Sequence, residues 1–122
     1  MKHAYLRFLS IAHGLKPVLV GQRHLDESAK RLLEIIAVRF GQGIPMTVTD
    51  AMSLLVLASP ATLHRKLDDL REAGMIEQVF HGQNRRTKYL VPTQTANHYL
   101  DKLGQAMCDA VANASPGIAA VC

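Results

Sequence analysis

The residue pattern predicts a mainly α-helical fold carrying one small β-hairpin, and three observations support it. Five stretches repeat apolar side chains at helical spacing. The 122 residues include no Trp and only three Phe and three Tyr, so the core is filled by Leu, Ile, Val, Ala and Met, which favours helices over an aromatic-rich β-sandwich. One pair of strand-like runs brackets a loop of turn-forming residues bearing two adjacent arginines.

Length and composition predict a single domain over residues 1–122. The 48% apolar content is what a packed core requires and disordered chains lack. A formal charge of +4 and a pI near 9.3 bias the chain towards polyanionic partners. The charge is unevenly placed: residues 1–43 hold seven basic against three acidic side chains, residues 59–92 hold six against four, and the last thirty are nearly neutral.

Tyr5, Leu6, Leu9, Ile11 and Ala12 predict a first helix from Lys2 to about Leu15, stopped by Gly14 and Pro17. Asp26-Glu27-Ser28 supplies capping and acidic residues ahead of Leu32, Leu33, Ile35, Ile36, Ala37 and Phe40, with Gly41-Gln42-Gly43 closing that helix. Ile44-Pro45-Met46-Thr47-Val48 reads as a brief edge strand or extended linker. Thr49 is the expected cap of a third helix containing Ala51, Met52, Leu54, Leu55 and Leu57, which ends before Pro60.

Ser59-Pro60-Ala61-Thr62 then starts a fourth helix: the serine hydroxyl accepts an unpaired N–H, and proline at the first helical position has none to lose. Leu63, Leu67 and Leu70 form its buried stripe, and Gly74 caps its end. Met75–His81 and Thr87–Val91 make the hairpin around the loop Gly82-Gln83-Asn84-Arg85-Arg86. Ala96, Tyr99, Leu100, Leu103, Met107, Ala110 and Val111 continue as a long last helix over 94–114, followed by a flexible tail over 115–122.

Helix, short strand, helix, tight turn, helix, basic hairpin and helix are the order of a winged helix-turn-helix. An α-helix fits the major groove of DNA, while a basic hairpin reaches the minor groove or backbone. The expected contact residues are Ser59, Pro60, Ala61, Thr62, His64, Arg65 and Lys66 on the recognition helix 59–73, and Gln83, Asn84, Arg85, Arg86 and Lys88 on the wing 82–88. Asp68, Asp69 and Glu72 are placed to pair along the helix with Lys66 and Arg71.

The run Ser59–Leu67, with Leu70, Gly74-Met75-Ile76, Asn84-Arg85-Arg86 and Pro92-Thr93, resembles the recognition helix and wing of MarR-type transcriptional regulators over roughly Val48 to Leu103. The resemblance implies a homodimer held by terminal helices, a recognition helix in the major groove and a wing arginine, Arg85 or Arg86, in the minor groove. Where that family usually carries an aspartate before the wing arginine, this chain has Asn84, so the ion pair that would orient the arginine is missing. The chain is also short for the family, which implies a reduced or missing effector pocket.

The function expected is therefore a cytoplasmic, dimeric, sequence-specific regulator of double-stranded DNA, with 1–43 and 94–114 contributing to the dimer. A protein-interaction module is the alternative. No cofactor, metal or membrane is expected. The six histidines never approach ligand spacing, and Asp68 and Asp69, neighbours on a helix, point apart. No nucleophile, paired carboxylate site or glycine-rich phosphate loop marks an enzyme. Cys108 reads as a buried thiol and Cys122 as a terminal one.

Overall fold

The computed structural model describes residues 2–19 and 25–114. The elements are α1 (Lys2–Leu19), α2 (Glu27–Gly41), β1 (Met46–Thr47), α3 (Val48–Met52), α4 (Pro60–Glu72), β2 (Ile76–His81), β3 (Asn84–Pro92) and α5 (Gln94–Ala114). The protein is mainly helical with a small antiparallel sheet of order β1-β3-β2. The single domain expected over 1–122 divides into two compact units, one of them Leu25–Ala96 and the other containing α1 with α5 from Asn97 onward.

In the first of these, α2 packs against α4 and β3. Leu32, Leu33 and Ile36 from α2, Leu63, Leu67 and Leu70 from α4, and Met46, Met75 and Leu90 around the sheet form its buried core. The ends of α2 follow the sequence closely. Asp26 is the N-cap and Gln42 the C-cap, and Gly43 beyond it takes a φ of 79°, a backbone region that costs side-chain-bearing residues energy.

The third helix differs from expectation at both ends. Its cap is Thr47, not Thr49: the Thr47 hydroxyl accepts from the Asp50 N–H at 3.0 Å, and the Asp50 carboxylate accepts from the Thr47 N–H at 3.0 Å. That reciprocal box satisfies two otherwise orphaned donors, so β1 stops and α3 starts without a linker. The helix ends at Met52, so Leu54, Leu55 and Leu57 lie in the turn that follows it. Ser53 has already turned its N–H back to Asp50 as the C-cap.

The first helix also outruns its expected stop, continuing through Gly14 and Pro17 to Leu19. Pro17 has no N–H to donate within that last turn, so the helix continues past it with one backbone hydrogen bond fewer. On α1 the rings of Tyr5 and Phe8 lie 6.5 Å apart. Along α5, Tyr99, Ala106 and Ala110 are buried and Met107 is exposed. Cys108, expected as a free core thiol, is disulfide-bonded; the expected tail 115–122, with Cys122, lies outside the described residues. Among the described residues no helix is long and apolar enough to cross a membrane.

Candidate nucleic-acid interface

The fourth helix is built as its sequence demands. Ser59 has extended backbone angles as the N-cap, Pro60 occupies the first turn, and the Ser59 hydroxyl accepts from the Thr62 N–H at 3.4 Å while donating to Thr62 Oγ1 at 3.1 Å. The C-cap is Ala73, and Gly74 follows at a φ of 74°. Its N–H reaches Arg71, and that of Met75 reaches back to Leu70, which turns the chain sharply into β2.

With Leu63, Leu67 and Leu70 turned into the core, the opposite face of α4 exposes Ala61, His64 and Arg65, and Thr62 is half-buried. Lys66 departs from the picture of an outward-pointing cation. Its ammonium pairs with the carboxylate of Asp26, the N-cap of α2, and its side chain is only 12% exposed. The Lys66 ammonium beside Asp26, and next the Ala29 N–H, hold that carboxyl below its ordinary value of 3.8. The pairing expected along the helix occurs for Arg71, 4.0 Å from Asp68.

The hairpin is tighter than expected. The five-residue loop Gly82–Arg86 is a two-residue turn, Gly82-Gln83, and Asn84, Arg85 and Arg86 belong to β3. Gly82 makes this possible by taking a φ of 61° at the first turn position, where a left-handed backbone suits the twist of the flanking strands. Two register pairs, Phe80 with Lys88 and His81 with Asn84, leave Arg85, Arg86 and Thr87 as a bulge opposite the Phe80–His81 step. Bulges bend a strand and re-aim its side chains.

The bulge brings three exposed cations, Arg85, Arg86 and Lys88, to one end of the sheet. The Arg85 guanidinium carbon lies 5.4 Å from the centroid of the Phe80 ring, and Lys88 Nζ lies 5.8 Å from it. These side chains share an open groove of about 410 Å³ with Thr47, Val48 and Thr49 at the junction of β1 and α3. Gln83 is exposed in the turn, and Asn84 opens β3.

Sequence reasoning missed Phe80 and Asp26. A two-residue turn at Gly82-Gln83 is the signal that would have placed Phe80 opposite the basic segment; nothing local links Asp26 to Lys66. A second groove of about 510 Å³ runs between α4 and the sheet, lined by Asp68, Arg71, Glu72, Glu77, Gln78 and Lys88, with Ile76 at its base. Its mixed charges suit neither a polyanion nor an apolar ligand. Among the described residues no group of His, Cys, Asp and Glu is clustered to hold a metal ion.

With this geometry the chain is similar to the crystal structure of RV1404 from Mycobacterium tuberculosis, at a TM-score of 0.65 and 18% identity over 95% of this chain and 74% of that one. The two chains share a fold. At that identity the likeness concerns the fold alone. No family model matches the sequence, and no curated protein matches it.

Proposed function

We propose that the protein is a double-stranded-DNA-binding regulator of the winged helix-turn-helix type. In this reading α3 and α4 are the helix-turn-helix, α4 lies in the major groove, and the β2–β3 hairpin is the wing on the minor groove or backbone. The observation that carries it is the pairing, within one compact unit, of a capped helix exposing His64 and Arg65 with a hairpin exposing Arg85, Arg86 and Lys88. The helix offers hydrogen-bonding groups to base edges, and the cations supply sequence-independent attraction to phosphates.

A C2 homodimer completes the proposal. Tyr5 and Leu6 on α1 and Met107 on α5 are exposed, and large apolar side chains at the surface favour association. Two recognition helices related by a two-fold axis would read a roughly palindromic site with half-sites about one helical turn apart.

A salt titration of binding to random-sequence duplex DNA tests the proposal without knowledge of an operator. The wild type binds more tightly as salt falls, and Arg85→Ala/Arg86→Ala weakens binding and flattens the log K against log salt slope by about two. A folded wild type with no affinity at low salt ends the DNA reading. Protein docking is the second reading, favoured by Leu55 and Val56, which are 65% and 100% exposed in the turn before α4.

A further inference from the structure

We propose that Phe80 is a positioning residue that presents Arg85 and Lys88 to the DNA backbone, a role that rests on the DNA-binding reading. Three cations gathered by one bulge repel each other and, left alone, would spread over many rotamers. Arg85 and Lys88 make no ion pair among the described residues. What they share is one aromatic ring, 37% exposed, with the guanidinium at 5.4 Å and the ammonium at 5.8 Å from its centroid.

A ring is a different kind of partner from a carboxylate. Its quadrupole attracts a cation with about 0.5–1 kcal/mol at an exposed site but cancels none of the charge. Arg85 and Lys88 are thus confined to one region of the groove beside Thr47 and Thr49 while a phosphate still meets their full charge. An aspartate in place of Phe80 would hold the same cations and remove one unit of the positive charge that binds phosphate.

The bulge is what allows the contact. Lys88 faces Phe80 across the ladder as its register partner, whereas Arg85 lies three residues earlier on β3. In a regular ladder successive side chains alternate between faces, so Arg85 and Lys88, an odd number of residues apart, would point to opposite sides of the sheet. Extending the His81–Asn84 pair by one residue sets Arg85 opposite Phe80, and the extra residues 85–87 shift the register so that Lys88 comes to the same ring.

The test compares wild type, Phe80→Leu and Phe80→Tyr in two measurements: affinity for random-sequence duplex DNA across a salt series, and the ring-current shift of the Arg85 side-chain protons by NMR without DNA. Phe80→Leu keeps an apolar side chain at an exposed position and deletes the ring. We expect it to lose the upfield shift and to weaken binding by about three- to tenfold, the scale of one to two exposed cation–ring contacts, with an unchanged salt slope because every charge remains. Phe80→Tyr should retain both the shift and the affinity. Wild-type affinity in Phe80→Leu, or an equal loss in Phe80→Tyr, overturns the positioning role while leaving DNA binding intact. Absence of DNA affinity in the wild type overturns both.

Discussion

Asp26 and Lys66, forty residues apart, meet at one carboxylate: Asp26 Oδ1 accepts the Ala29 N–H at 2.9 Å and Oδ2 accepts from Lys66 Nζ. The same side chain therefore caps α2 and ties α4 to its start. Lys66 is withdrawn from the face that exposes His64 and Arg65.

Two substitutions separate these roles. Asp26→Ala removes cap and ion pair together and should cost about 1–2 kcal/mol in urea unfolding, whereas Asp26→Asn retains a capping oxygen and should cost less than about 1 kcal/mol. Because Lys66 lowers the Asp26 carboxyl from its ordinary 3.8, the folded state binds that proton less readily than the unfolded state. Its stabilising contribution is complete above that value and fades as pH falls through the lowered one. The difference in Tm between wild type and Asp26→Asn should shrink below about pH 4; a difference constant from pH 7 to pH 2 would refute the linkage.

Arg65 and Lys66 are sequence neighbours with different fates, and DNA binding should register it. Arg65→Ala should reduce the salt slope by about one, the signature of one lost phosphate contact, and Lys66→Ala should leave it almost unchanged. Equal reductions would mean that Lys66 abandons Asp26 when DNA arrives.

Gly74 should resist substitution for a backbone reason alone. A Cβ added there meets no atom within 4 Å, yet φ is 74°. Gly74→Ala should therefore destabilise by about 1–2 kcal/mol, the cost of a left-handed backbone for an L-residue, with no steric contribution. Thermal unfolding measures it. A neutral substitution would show that the turn relaxes to another conformation at little cost. Relaxation has a penalty here, because the Gly74 carbonyl accepts from the Thr93 hydroxyl at 2.5 Å, and Thr93 Oγ1 in turn accepts the Ala96 N–H at 3.1 Å at the start of α5.

Much of the candidate interface was legible in sequence because its signals are local. Ser59-Pro60 marks a helix start wherever it is placed, the leucine stripe of α4 declares its buried face, and Gly74 marks the exit. The elements misjudged are those where two local signals compete. Thr47 and Thr49 both have a capping side chain, and only Thr47 also has Asp50 three residues on to complete a reciprocal box. Leu54, Leu55 and Leu57 look like a helix face by composition, but the chain has turned by Ser53.

From the sequence alone come the mainly helical class, the hairpin, the ends of α2 and α4 and the basic character of the hairpin tip, since caps, periodicity and charge are properties of neighbouring residues. The tertiary structure decided which cations face outward. Lys66 is held by Asp26 from another helix, and Arg85 joins Lys88 on Phe80 through a bulge in the register. Both are through-space relations, governed by how the helices pack and how the strands pair: no spacing along the chain links Lys66 to Asp26, and the Gly82-Gln83 turn signals that Phe80 faces the basic segment but not the bulge that adds Lys88.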